Sequence, residues 1–273
     1  MKTWLITGCS SGFGKSLAKT VLENGDNVIV TARKIEDIQY FKNKYPKQAL
    51  ILTLDLTKTE DITNAVDNGI DHFGGIDVLV NNAGYGYRAA VEEGVKEDVN
   101  QLFQTNLFGP IALIQQVLPS MRERNKGTII NFSSIAAIEA EPGSGYYAAS
   151  KSALESISEA LYKELKPLGI QVMIIEPGGF NTNFFRRSLT QSKIELDDYK
   201  NTSGKRRIGK ESIDITVLGS TDKAALQIIE AIEAKEPPLR LLLSTQAVEF
   251  AKNKLGLRIN EANKWAVLSE KSK

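Results

Sequence analysis

A chain of 273 residues with 42% apolar and 25% charged side chains has a globular composition, long enough for a large core and without the bias of a disordered or fibrous protein. Its 34 basic and 33 acidic side chains leave a net charge of +1, which excludes general electrostatic attraction to nucleic acid or an anionic membrane as the basis of function. One cysteine, Cys9, and one histidine, His72, supply neither an internal disulfide nor the three or four ligands of a zinc site, so no metal is expected. His72 lies in "DHFGG", read as a favourable charge at a helix C-terminus followed by a glycine turn. No apolar run of about 20 residues predicts a membrane span, and the first strand-like segment begins at once, so a cytoplasmic protein without a signal peptide is expected.

In chain order, seven short β-branched runs alternate with amphipathic stretches of roughly 12 to 20 residues. The runs are "WLIT" from Trp4, "NVIVTA" from Asn27, "ALILTLD" from Ala49, "IDVLVNN" from Ile76, "GTIINFSS" from Gly127, "IQVMIIEP" from Ile170 and "LRLLLS" from Leu239. Most are nearly continuous in apolar character, as strands buried on both faces of a parallel sheet are. The expected fold is α/β: a three-layer, doubly wound, Rossmann-like sheet of about seven mostly parallel strands with helices on both faces, in a single domain spanning residues 1–273. Ligands in such sheets bind beyond the carboxyl ends of the strands.

"TGCSSGFG", Thr7 to Gly14, falls at the first strand-to-helix junction. Glycines there allow a tight turn and close approach of backbone N–H groups to a pyrophosphate, and the helix N-terminus favours negative charge. The spacing Gly8, Gly12, Gly14 differs from the G-x-G-x-x-G fingerprint, and Ser10, Ser11 and Phe13 complete the candidate cofactor loop. After strand two, "TARK" places Thr31 and Ala32 where an acidic residue would bind the ribose of NAD, followed by Arg33, suited to grip a 2'-phosphate bidentately. NADP(H) is therefore the preferred cofactor, with NAD(H) possible. Asp55, followed by Leu56, closes strand three where its side chain meets an adenine edge.

Further along, "GSGYYAASK" sets Tyr146 and Tyr147 ahead of Lys151. On a helix, residues four apart share a face, so Lys151 belongs with Tyr147. The stretch from about 183 to 220 breaks the strand–helix rhythm and is expected to be a substrate lid. Between 186 and 210 it carries eight Lys or Arg against three acids, a belt read as a solvated mobile surface or, alternatively, as an attractor for anionic substrate.

TGxxxGxG at 7–14, "NNAG" at 81–84, Asn106 in "TNLFG", Ser134 in "NFSS", Tyr147, Lys151 and "PGGFNT" at 177–182 occur in the order and spacing of one family. From residue 2 to about 245 the chain resembles the short-chain dehydrogenase/reductases, and in detail the branch with 17β-hydroxysteroid and retinol dehydrogenase-like members and bacterial reductases of unassigned substrate. The resemblance implies Asn106, Ser134, Tyr147 and Lys151 as the catalytic group, Ser134 standing 13 residues before Tyr147 as the family's serine does. It also implies that Asn82, Ala83 and Gly84, supported by Asn81, lie beside the cofactor, and that Thr182, presented by Pro177 and Gly178, meets the nicotinamide carboxamide. Taken alone, Ser134 is equally a strand-end cap and Asn106 a helix cap.

The reaction so implied is hydride transfer between nicotinamide and a carbonyl or secondary alcohol, with Tyr147 as general acid/base and Ser134 as a second donor to the same oxygen. An ammonium about 4 Å from the phenolate at an effective dielectric of about 20 is worth roughly 4 kcal/mol, so Lys151 is expected to lower the tyrosine pKa by about three units. Asn106 is implied to hold a water that links the lysine to solvent. Ser134, Tyr147, Tyr85, Phe180 and Phe184 are the candidate substrate contacts, with Tyr87 and Phe185 adding to an aromatic pocket. The helices near 105–124 and 146–166 carry small and apolar residues around much of their circumference, and with the resemblance this implies a homodimer or homotetramer. The C-terminal tail is read as a helix against the lid or a partner. The alternative function is a catalytically idle NADP-binding regulator of the same fold.

Overall fold

The computed structural model describes residues 1–180, 182, 188–209 and 218–271. All seven expected runs are strands of one parallel sheet: β1 (Thr3–Ile6), β2 (Asn27–Ala32), β3 (Ala49–Thr53), β4 (Val78–Asn81), β6 (Gly127–Phe132), β7 (Ile170–Pro177) and β9 (Arg240–Leu243). Their spatial order is β3-β2-β1-β4-β6-β7-β9. Successive side chains leave a strand on opposite faces. Trp4 and Ile6 therefore join the core beneath α1 (Gly12–Glu23) and α7 (Thr221–Glu233), with Leu17, Val21 and Ile228. Leu5 enters the opposite core with Ile62 and Val66 of α3 (Thr59–Phe73), Leu113 and Val117 of α5 (Gly109–Glu123), and Leu165 of α6 (Gly145–Leu165). Fully burying each such side chain contributes about 1.5–3 kcal/mol, so strands covered on both faces need apolar residues at consecutive positions.

β1 continues towards β2 on one side of the sheet, and β4 continues towards β6 on the other. The loops after β1 and β4 diverge at this switch point and open a crevice at the carboxyl ends. α3 packs so close beneath the sheet that a Cβ on its Gly69 would overlap Ile29 Cδ1. It ends as expected, with His72 in the last turn and Gly74 at φ 80°. The remaining helices are α2 (Gln39–Lys44), α4 (Lys96–Phe103) and α8 (Thr245–Glu270).

Within the stretch expected to be a lid, Lys193, Lys200 and Lys205 are exposed, as a solvated belt requires, whereas a strand and a buried arginine depart from that reading. Leu189–Gln191 forms a strand, β8, paired in parallel with a second unforeseen strand, β5 (Gly86–Arg88). Arg207, expected in a solvated belt, is 5% exposed: its Nη1 lies 3.2 Å from Oε2 of buried Glu93, and its Nη2 donates to Ser192 O at 2.6 Å. Arg206 pairs with Glu141 at 3.4 Å. The correction has a physical reason: a buried carboxylate, Glu93, recruits the arginine, and the pair clamps residues 192–207 to the segment after β4. Phe184, Phe185, Arg186, Arg187 and Lys210 lie outside the described residues. The tail is helical: α8 touches the segment after β6 through Lys254–Glu139 at 2.5 Å and an Arg258 hydrogen bond to Ile138 O.

Candidate active site

The cradle after β1 is made by conformation as much as by side chains. Gly8 and Gly12 adopt φ of 75° and 57°, the left-handed region that glycine enters without steric cost. A Cβ on Gly14 would lie 2.5 Å from Gly8 O and closer still to Asn82 Nδ2, so the loop closes only without one. Asn82 Nδ2 donates to Thr7 O at 2.7 Å, and the Thr7 hydroxyl accepts from the N–H groups of Asn82 and Ala83 at 3.0 and 2.9 Å. The ends of β1 and β4 are thereby joined. α1 starts at Gly12 with Ser11 as its N-cap, and no acidic residue occupies its first turn, which leaves the amide end of the helix to an anion. Cys9 is buried, its thiol donating to Ile6 O and pushed up to about 12 by burial, so it is a packed thiol rather than a redox group.

At the neighbouring strand ends, Thr31 turns inward and donates to Ile6 O at 3.0 Å, while Arg33 stands exposed at the rim. Burial pushes the Asp55 carboxyl up. Hydrogen bonds from Thr57 and the charges of Lys58 and Arg33 outweigh it and hold the group below its usual value. Asp55 Oδ1 accepts from the Thr57 amide and hydroxyl at 3.0 and 2.8 Å. Its side chain therefore shapes its own loop, a role the sequence did not indicate. Leu56 is 6% exposed and borders the crevice beneath this loop.

At the other end of the same crevice, Tyr147 lies in the first turn of α6 and Lys151 one turn further on. Tyr146 faces away: its hydroxyl donates to Val91 O at 2.7 Å and its ring covers Gly94. The helical-face argument thus selects the tyrosine that borders the cleft. Ser134 hydrogen-bonds Tyr147 and also accepts from the Ala136 amide at 3.1 Å. Lys151 is 5% exposed, with Nζ donating to Phe132 O at 2.7 Å and standing 6.0 Å from the Tyr147 ring centre.

This geometry corrects the expected electrostatics. Burial pushes the Tyr147 phenol above its usual value of about 10, and the Ser134 hydrogen bond and the Arg88 charge oppose that rise without reversing it. The Lys151 amine is pushed down to about 8 by burial, with Glu155 opposing. The expected acidification by a cation about 4 Å away is not what this arrangement favours: the amine is turned to a backbone carbonyl, and desolvation is the largest influence on both groups.

Asn106 is fully buried in a π-turn, Gln104–Phe108, that joins α4 directly to α5, so it caps no helix. Its Nδ2 donates to Tyr85 O at 2.9 Å and Ser150 Oγ at 3.1 Å, while Oδ1 accepts from Tyr85 N at 3.1 Å. A Cβ on Gly84 would meet Asn106 Oδ1 at 3.0 Å and Lys151 Nζ at 3.4 Å, so these two side chains flank the same backbone. Asn81 is buried behind them and donates to Asn131 Oδ1 at 2.8 Å.

One cavity of about 780 Å³ joins the two ends, bordered by Gly8, Ser10, Ser11, Gly12, Phe13 and Arg33 on one side and by Ser134, Tyr147 and Lys151 on the other. Pro177, Gly178 and Thr182 border it between them, Thr182 meeting the space above Gly12. Tyr85 lines the opposite wall. Phe180 borders the cavity but is 6% exposed and packs its ring 4.7 Å from Phe13, so it belongs chiefly to the core under the glycine loop. Tyr87 borders the cavity as expected, but it is 1% exposed with its hydroxyl 3.3 Å from Asp98, because β5 carries most of it inward into a satellite core. Sequence reasoning missed Arg88, a 7% exposed neighbour of the cleft whose charge reaches Tyr147, and the acid Glu155 beside Lys151. An isolated arginine in a three-residue strand leaves no periodic signal, whereas Glu155 follows Lys151 at the four-residue interval already used for Tyr147.

The short chain dehydrogenase family model matches residues 2–193. The chain is 36% identical over 260 residues to a 3-ketodihydrosphingosine reductase of Bacteroides thetaiotaomicron, covering 94% of this chain and 93% of that one. It is 31% identical to an NADPH-dependent 3-dehydrocapnine reductase of Ornithobacterium rhinotracheale, covering 92% and 90%. A short-chain dehydrogenase of Streptomyces avermitilis, known by crystal structure, superposes with a TM-score of 0.92 at 37% identity, covering 100% of this chain and 98% of that chain. The protein belongs to the short-chain dehydrogenase/reductase family and is an oxidoreductase.

Proposed function

We propose that the protein is an NADP(H)-dependent carbonyl reductase, able to run in reverse as a secondary-alcohol dehydrogenase, with Tyr147 as general acid/base. The observation that carries this reading is the single cavity holding both the glycine cradle and the Tyr147–Ser134–Lys151 cluster. The residues fit a dinucleotide. Gly8, Gly12 and Gly14 leave room for backbone approach, the first turn of α1 offers its amides to a pyrophosphate, and Arg33 offers a guanidinium to a 2'-phosphate. Two relatives named as reductases of a keto and a dehydro compound, one of them NADPH-dependent, support the cofactor and the direction.

When bound, the nicotinamide supplies the hydride-transfer chemistry. The chain's own groups manage the proton and the position of the substrate oxygen. Tyr147 donates its phenolic proton to the carbonyl oxygen as negative charge develops there, and the Ser134 hydroxyl provides the second donor. Asn106 grips the Tyr85 backbone through both amide atoms and so fixes the strand-four end opposite Lys151. We also propose that residues 1–273 act as one cytoplasmic catalytic domain in a homodimer or homotetramer. Assembly draws support from Phe108 and Ile157, which are 50% and 39% exposed near and on the helices expected to carry it.

The test is Tyr147→Phe. The variant is expected to bind NADPH as the wild type does and to lose at least about 10²-fold in kcat, the scale of a general acid/base contribution. Near-normal turnover overturns the assignment.

A further inference from the structure

β6 ends on Phe132, followed by Ser133 and Ser134, and two side chains of α6 grip the residues just before Ser134. Lys151 Nζ donates to Phe132 O at 2.7 Å, and Glu155 Oε1 accepts from the Ser133 hydroxyl at 2.5 Å. Residues four apart share a helix face, so cation and carboxylate stand one above the other against the same strand end. Behind Glu155 lies Arg240 of β9. Its Nη2 is 3.6 Å from Glu155 Oε2 and 2.6 Å from Glu159 Oε1, and its Nε is 3.0 Å from Glu176 Oε1 on β7. Three carboxylates share this guanidinium, and the excess of acid lies one helical turn from Lys151. No step of the proposed reaction uses this cluster.

We propose that Glu155 is a positioning residue: it holds the Phe132–Ser133 strand end in register for Ser134 and places a negative charge one helical turn from the lysine amine. This rests on the assignment of Tyr147, Ser134 and Lys151 as the reacting group. The groups facing Glu155 are Lys151 and Glu159 on its own helix, Ser133 after β6, Glu176 on β7 and Arg240 on β9. Burial pushes the Glu155 carboxyl up, opposed by the Ser133 hydrogen bond and by Arg240. Burial together with Glu155 pushes Glu176 up to about 7. The cluster thus has a second acid raised towards neutrality, while the Ser133 hydrogen bond and Arg240 favour the charged form of Glu155 against its burial.

Glu155→Gln separates the two duties, because the amide oxygen still accepts from Ser133 while the charge is gone. In cofactor-free protein carrying isotope-labelled lysine, the Lys151 resonance is assigned by its loss in Lys151→Met and titrated by NMR. A wild-type midpoint near 8 is expected to fall by at least about half a pH unit in Glu155→Gln and to be largely restored in Glu155→Asp. The alkaline fall of kcat/KM for carbonyl reduction should move to lower pH in parallel. An unchanged Lys151 midpoint in Glu155→Gln overturns the proposal, whether or not the variant is less stable. Should Glu155→Gln fail to fold, Glu155→Asp against wild type decides: the charge is retained, so the midpoint is expected near the wild-type value, and a fall of about half a pH unit or more contradicts the electrostatic role. A fully active Tyr147→Phe sinks the underlying reading instead, and an inactive Tyr147→Phe with an unmoved Lys151 midpoint sinks only the role of Glu155.

Discussion

At Arg33, a single side chain carries the proposed preference for NADP(H). It stands exposed at the rim of the cavity, and its charge reaches Asp55, one of the influences holding that carboxyl low. Neither Thr31, turned inward to Ile6 O, nor buried Ala32 presents a carboxylate that would repel a 2'-phosphate. Arg33→Ala is therefore expected to weaken NADPH binding at least about tenfold, the loss of a charge-assisted hydrogen bond, while leaving NADH binding little changed. Fluorescence titration with both cofactors measures this, and an unaltered ratio of affinities removes Arg33 from the site. That Tyr147 rather than Tyr146 borders the cleft beside Lys151 was legible in the sequence, because it follows from helical spacing. The acidity of Tyr147 was not legible. It depends on where the lysine hydrogen-bonds and how deeply both groups are desolvated, and spacing encodes neither.

Among the elements, the junction of β1 and α1 leaves little room for change. Gly14 faces Gly8 O and Asn82 Nδ2, and the backbone atom has no rotamer by which to retreat. Gly14→Ala is expected to cost about 1–3 kcal/mol in chemical denaturation, the range for overpacking, and to weaken cofactor binding because the loop must open to admit the methyl group. Unchanged stability and affinity would mean that the loop is not closed in this way. The seven parallel strands were readable because burial on both faces writes continuous apolar runs. β5 and β8, three residues each, write nothing comparable. The Glu93–Arg207 ion pair joins positions 114 apart, so a run of basic residues passes for a solvated belt until the carboxylate that buries one of them is seen. The π-turn at Asn106 was hidden for a related reason: one extra residue in a continuous helix shifts the register without changing the composition.

At the scale of the whole molecule, the sheet brings two separate chemistries to one edge. The ends of β1 to β4 form a cradle suited to phosphates, and the end of β6 with the first turns of α6 forms the cluster proposed to donate the proton. They meet because the strand order reverses direction between β1 and β4 and places both sets beyond the same carboxyl ends. Family membership accounts for the arrangement, and residues of β5, β8 and α8, with Tyr85 and Arg88, line the rest of the cavity, the wall proposed to meet the substrate. The most direct test of hydride transfer across this cavity uses NADPH deuterated at C4, in each of its two epimers, with a panel of ketones. The expected result is deuterium on the carbinol carbon of the product from one epimer only. Loss of NADPH without deuterium in any alcohol, or no turnover across the panel despite tight NADPH binding, would contradict it.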